Sequence, residues 1–193
     1  MTSKQEFLSY GFKEWAIAVS ALGKGETIML LRKGGIKEDS KHFAVKYQKA
    51  WLYPTYEHQK PQLLKLKYSS QVQEVASGWH PETVSIQSCS EITHTISVTD
   101  IEIIKQLEPY QVWNSTMIRD RFKWKPQQPL TVLLLRVFNL PNPVTIPYDR
   151  SYGGCKSWIE LQQPISVGGL QPAMTAESYQ KQANKIIDII NSQ

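Results

Sequence analysis

Apolar positions recur along the chain with different spacings, and each spacing predicts a different element. Phe12, Trp15, Val19 and Leu22 fall at helical intervals and Gly23 follows as a left-handed cap, which predicts a helix over residues 12–22. The run from Thr27 to Leu31 is β-branched and aliphatic and lies between Gly25 and Gly34, so it reads as a strand with Arg32 and Lys33 at its end. Phe43 to Tyr47 and Trp51 to Pro54 read as short strands, the second ended by its proline. Thr55 is placed to cap a short helix that turns Leu63 and Leu64 inward, provided Pro61 lies in its first turn. Residues 65–75 are polar and read as irregular or as a helix with few anchors.

The second half has clearer signals. Val84, Ile86, Ile92, Ile96 and Val98 share one parity, as a half-buried strand pair over 83–98 requires. Asp100 caps a helix whose Ile101, Ile104 and Leu107 stand three apart, ended by Pro109; another helix starts at Asn114 or Ser115. Leu130 to Phe138 is apolar on both parities and is expected to be the central, doubly covered strand. Further strands are expected at 144–148 and 157–161, around the loop from Asp149 to Cys155. Tyr179, Ala183, Ile186, Ile187 and Ile190 form the stripe of a C-terminal helix. Strands and helices in this mixture predict an α+β fold.

Composition sets the scale. A chain of 193 residues with 41% hydrophobic and 20% charged positions is long enough and apolar enough to bury one core. The expectation is a single domain over 1–193, with residues 1–10 and 191–193 as flexible tails. The net charge of +5 biases the surface toward anions, phosphate among them. Cys89 and Cys155 make neither a disulfide framework nor a zinc knuckle, no signal peptide opens the chain, and no run approaches a membrane span. A cytoplasmic protein without a membrane partner is expected.

Candidate chemistry is sparse. Cations at a strand end before Gly34 and Gly35 suit an approaching anion, as they suit an ordinary hairpin turn. Arg119, Arg121, Lys123, Trp124 and Lys125 combine charge for phosphates with a flat ring for bases, although Phe122 and Trp124 would serve equally as core. Tyr53, Tyr56 and His58 flank a proline turn, where rings would converge on a planar ligand or simply pack. The loop with Gly153 and Gly154 offers backbone N–H groups to a phosphate, or is a plain turn. Cys89, Glu91 and His94 are close in sequence, but on a strand His94 faces away, so a metal site would need a bulge and none is expected. Cys155 as a nucleophile would need a distant His58 or His94 as its base and an oxyanion hole that Gly153 and Gly154 would help form, a pairing that nothing fixes, and neither a phosphate-binding Walker loop nor an acidic Nudix helix is present.

Five blocks carry a resemblance. Lys13-Glu-Trp-Ala, Leu31-Arg-Lys-Gly-Gly-Ile36, Leu52-Tyr-Pro-Thr-Tyr-Glu-His-Gln59, Leu133-Leu-Leu-Arg-Val137 and Gly153-Gly-Cys-Lys-Ser-Trp158 resemble domain of unknown function family 1802 over nearly the whole length. That family is bacterial, with cyanobacterial members, and has no established activity; the resemblance implies that some relatives accompany restriction-type endonuclease domains. More distantly, the opening helix with Gly-Lys-Gly-Glu-Thr27 leading to Leu31-Arg32, then Glu91 to Asp100, two helices and the strand ending at Phe138, looks like the ASCH and EVE branches of the PUA-like fold. Those are small β-barrels that bind nucleic acid, so the resemblance implies a mixed, partly closed barrel with flanking helices. Met29-Leu30-Leu31 stands where an acidic residue often precedes the Leu-Arg pair, which weakens any transfer of catalysis.

These readings favour a non-catalytic domain that binds DNA or RNA, recognising a modified or unpaired base. Arg32, Lys33, Arg121 and Lys125 would neutralise phosphate and Tyr53 and Trp124 would stack, with no metal or cofactor. Two alternatives stand beside it. Small ASCH-like amidohydrolases acting on modified nucleosides use a lysine, a threonine and a glutamate, to which Lys24, Thr27 and Glu91 would correspond. A basic face meeting an acidic protein partner is the other.

Overall fold

The computed structural model describes residues 6–33 and 43–192. In chain order the elements are β1 (Phe7–Trp15), α1 (Ala16–Gly23), β2 (Met29–Arg32), β3 (Lys49–Thr55), α2 (Leu66–Ser69), β4 (Thr83–Val98), α3 (Ile101–Gln106), α4 (Ser115–Lys123), β5 (Leu130–Pro147), β6 (Trp158–Ser166), β7 (Gln171–Pro172) and α5 (Ala176–Asn191). The fold is a mixed α+β one. Its sheet has the order β2-β5-β4-β3-β1-β6, with β7 paired to β5, and β1 runs parallel to β3 while the other pairs are antiparallel.

Long strands let the sheet serve several cores. β4 and β5 pair along almost their full lengths, from Thr83 opposite Pro147 to Val98 opposite Leu130, with register shifts between Ile86 and Ser88 and between Ile92 and His94. The expected strand pair over 83–98 is thus one bent strand. Leu133, Leu135 and Val137 of β5 pack with α1, Phe12 and Trp113 on one face, whereas Leu130, Val132 and Leu134 pack with α3, α4 and α5 on the other. β5 is therefore covered on both faces as expected, although it lies one place from the edge strand β2. Each fully buried aliphatic side chain of this kind contributes about 1.5–3 kcal/mol of transfer free energy. A third cluster, with Trp51, Tyr53, Ile86, Tyr152 and Ile159, fills the far end of the sheet.

Several expectations need correcting. The helix predicted over 12–22 divides: residues 7–15 are strand and only Ala16 onward is helix. Pairing of β1 with both β3 and β6 occupies the backbone groups that a helix would have used, and the apparent helical spacing of Phe12 and Trp15 is coincidental. Phe7 to Tyr10, expected in a loose tail, belong to this strand; residues 1–5 and 193 lie outside the described residues. The left-handed residue after α1 is Gly25, with φ 68°, where a Cβ would stand 2.9 Å from the carbonyl oxygen of Ala173. Phe43 to Tyr47 form no strand; Phe43 is buried in the core and Tyr47 stacks on Tyr10 at 3.6 Å between ring centroids. Thr55 ends β3 instead of capping a helix, and its hydroxyl donates to the carbonyl of Glu14 at 3.0 Å. The caps at Asp100 and Asn114 are as expected, the latter accepting from the N–H groups of Thr116 and Met117.

The sheet curls. Arg32 at the end of β2 donates to the carbonyl of Lys13 on β1 at 2.6 Å, although β5, β4 and β3 stand between those strands in the ladder. Among the described residues no backbone pair joins β2 to β6, so the sheet remains open at its two edges. Gly34 and Gly35, read as a ligand-approach loop, lie outside the described residues.

Candidate functional site

The curl leaves a cleft of about 550 Å³ between β1, the end of β2, the segment after β3, α4 and residues 154–157. Its wall carries five cations, Lys13, Arg32, Lys33, Arg121 and Lys156, against the carboxylates of Glu14, Glu57 and Asp120. The cleft is thus net cationic, and a concave site with low-dielectric walls focuses that charge.

Its floor is an ion pair. Glu14, 6% exposed, accepts from the N–H of Trp15 at 2.7 Å and stands 3.0 Å from the Arg32 guanidinium. Arg32 lies over the Phe12 ring at 4.6 Å, which fixes the plane of the guanidinium. Arg121 donates to the carbonyl of Leu31 at 2.6 Å and faces Trp113. Burial pushes its guanidinium down to about 10, Glu14 opposing that shift and Arg32 adding to it. Lys33, 7% exposed, donates to the carbonyls of Phe122 at 2.7 Å and Arg121 at 3.2 Å, in the last turn of α4. There the ammonium meets the negative end of the helix. Burial, then the charge of Arg121, lowers its pKa.

The residues singled out in the sequence therefore converge only in part. Arg32, Lys33, Arg121 and Trp124 line one cleft, but the three cations turn donors onto carbonyls and Glu14. Trp124 follows α4 at the rim, 41% exposed, with the Lys125 ammonium 4.6 Å from its ring. Phe122 packs against the lower core, so the basic-aromatic run splits between core and surface. Tyr53 is 3% exposed and lines a second pocket, which leaves no open ring face in this cleft. Of the alternative trio, Lys24 caps α1, Thr27 is buried with its hydroxyl donating to the carbonyl of Tyr110 at 2.6 Å, and Glu91 pairs in register with Lys49 and Arg136.

Three further cleft residues, Lys13, Glu57 and Lys156, were not singled out as ligands by sequence reasoning, whereas His58 and Gly154, which also line it, were. Lys13 donates to the carbonyls of Tyr152 at 2.5 Å and Gly154 at 2.8 Å. Glu57 accepts from the N–H of Gly78 at 2.6 Å and lies 3.4 Å from His58, whose φ is 66°. The Gly78 hydrogen bond is the main reason that the Glu57 carboxyl titrates below its usual range. Lys156 is exposed at the mouth. The available signal was the blocks themselves: Lys13-Glu14-Trp15, Arg32-Lys33, Glu57-His58 and Gly154 to Ser157 come from four of the five and meet here.

Metal chemistry finds no cluster. The register shift between Ile92 and His94 supplies the bulge that a Cys89–Glu91–His94 site would need, yet no group of three His, Cys, Asp or Glu side chains suited to an ion occurs among the described residues. Cys89 is buried, with its thiol pushed up to about 12 by desolvation. Among the described residues no helix is long and apolar enough to cross a membrane.

A curled mixed sheet with helices on its faces and a cationic cleft in the curl defines an α+β fold with a charged recess. The chain belongs to the family described as a domain of unknown function (DUF1802), whose model matches residues 11–185. No curated protein matches it. Among solved structures it is similar to ASCH from Zymomonas mobilis, at 14% identity and a TM-score of 0.45, over 91% of this chain and 93% of that one. A mutant of the same ASCH protein is similar at 12% identity and a TM-score of 0.44, over 94% of this chain and 99% of the other.

Proposed function

We propose that the protein is a PUA-like, non-catalytic nucleic-acid-binding domain that seats one unpaired or modified base of DNA or RNA in the cleft. The observation that carries this reading is the combination in one recess of about 550 Å³ of a net cationic wall with an exposed tryptophan at its rim. Trp124 supplies a stacking face, Lys125 beside it and Lys156 at the mouth meet phosphate, and Arg32, Lys33 and Arg121 hold the floor and its potential. The roles of the cations thus divide by depth. On the floor, beside the ion-paired Glu14, Arg32 Nε is a buried donor with no hydrogen-bond partner among the described residues. A paired base keeps its Watson–Crick edge engaged and would have to leave its stack to enter a concave recess, so a single strand is the favoured form.

The test is fluorescence polarisation with mixed-sequence single- and double-stranded DNA and RNA, at low and physiological salt, on protein freed of co-purifying nucleic acid. Binding that survives physiological salt, prefers single strands and weakens about tenfold in Trp124→Ala supports the assignment. Absence of binding even at low salt overturns it. The cell compartment that goes with this reading is a bacterial cytoplasm, where Cys89 and the exposed Cys155 stay as free thiols.

A further inference from the structure

Beside the cleft lies a second pocket of about 140 Å³ with a different character. Its floor is Tyr53 and Tyr152, both buried, with ring centroids 5.5 Å apart in a T-shaped contact. Its lip is exposed: Tyr56 and Trp79 meet edge to face at 6.0 Å, and His80 stacks on Tyr148 at 3.6 Å. Rings that pack with one another while keeping faces open to solvent form a slot for another flat group. The slot has the volume share of about five water molecules, the scale of one single-ring base.

Within it the Tyr53 hydroxyl is buried and has no hydrogen-bond partner among the described residues. Buried hydroxyls are nearly always paired, so an unpaired one in the wall of an aromatic pocket calls for an explanation. Desolvation raises its pKa, keeping it a neutral donor. A carbonyl or ring nitrogen of a flat ligand would complete it.

Lys13 links the two recesses, since it lines both, together with Thr55, Glu57 and Gly154. An ammonium has three donors, and two of those on Lys13 go to neutral carbonyls, of Tyr152 and Gly154. Desolvation lowers its pKa, Lys156 adding to that and Cys155 and Glu57 opposing it, so an anion placed between the pockets would relieve a partly buried charge. The same charge disfavours a cationic occupant of the aromatic slot, despite its rings.

Building on the proposed seating of one base in the larger cleft, we infer that the two recesses take consecutive nucleotides of one strand. A single-ring base enters the slot between Tyr53 and Trp79, and the phosphate joining the two nucleotides lies over Lys13. The ligand is then a dinucleotide step of a single strand.

Length-graded oligothymidylates and oligouridylates of one to four nucleotides test this by titration against the intact protein. Affinity is expected to rise most between one and two nucleotides. Trp79→Ala, which removes an exposed ring, and Tyr53→Phe, which removes only the unpaired hydroxyl, should each reduce that rise, the first about tenfold. Both should leave mononucleotide binding as in the wild type, while Trp124→Ala weakens binding at every length. A rise that neither variant alters, or Trp79→Ala lowering mononucleotide binding as much as dinucleotide binding, overturns the two-nucleotide assignment but leaves the base-seating reading intact. No binding of any length, with the wild type folded, overturns both.

Discussion

The floor and the rim of the cleft carry the same residue types and use them oppositely. On the floor, Arg32, Lys33 and Arg121 have their donors on Glu14 and on the carbonyls of Lys13, Leu31, Arg121 and Phe122. At the rim, Trp124 and Lys156 face solvent, the Lys156 ammonium with one exposed hydrogen bond to the carbonyl of Ser151 at 3.0 Å. A desolvated cation holds structure because an unpaired one is intolerable, whereas an exposed cation stays hydrated and can turn its donors to a phosphate at little cost. Charge alone therefore does not mark a binding residue; depth sorts the two roles.

The largest test of that contrast removes the floor. Arg32→Ala strands the buried carboxylate of Glu14, and breaking a buried pair from one side costs about 3–5 kcal/mol. Chemical denaturation should show a loss of that order, and the double variant Arg32→Met with Glu14→Leu should recover much of it. A loss below about 1 kcal/mol would mean that Arg32 belongs with the rim residues.

Next in size is the rim aromatic. Trp124→Ala should cost about 1–3 kcal/mol of binding to a single strand. Its stability should move by less than about 0.5 kcal/mol, because the ring is exposed. A smaller effect is expected of Lys156→Ala: uniform weakening across sequences, and a slope of binding against salt shallower by about one. If Lys156→Ala instead changed base preference, the lysine would reach into the cleft and the division by depth would fail.

What could be read in the sequence followed the range of the interaction. The caps at Asp100 and Asn114 and the stripe of α5 depend on residues within a turn or two, and the structure has them where the pattern puts them. The first half of β5, residues 130–138, was visible because both of its faces are largely buried, a property written in consecutive residues. β1 was not visible. Its pairing partners lie some forty residues on, at Gly11 opposite Trp51, and about one hundred and fifty on, at Tyr10 opposite Glu160. The same holds for the cleft. Arg32 and Trp124 stood out as charge and ring, but that Glu14 would hold Arg32, or that the carbonyls of Phe122 and Arg121 would take Lys33, follows only from the curl of the sheet. Tyr53 was singled out with Trp124 as a stacking ring; burial places it instead in the wall of the neighbouring pocket.

The smallest effect concerns the wall that the two recesses share. Glu57 accepts from the N–H of Gly78 and from the Ser77 hydroxyl, which ties the segment bearing Trp79 to the end of β3. Its carboxyl titrates below the ordinary value of 4.5, chiefly because of the Gly78 hydrogen bond. The folded state thus prefers the carboxylate, so this contribution is complete above the unfolded value and is lost as pH falls through the lower, folded one. The group is partly exposed, which limits the effect to less than about 1 kcal/mol. Amide-exchange protection of Gly78, corrected for intrinsic rates, should fall as acid is added, and Glu57→Gln should be less protected at neutral pH and flat across the same range. Unchanged protection in the variant would show that packing of Trp79 on Tyr56, not the carboxylate, holds the lip of the aromatic slot.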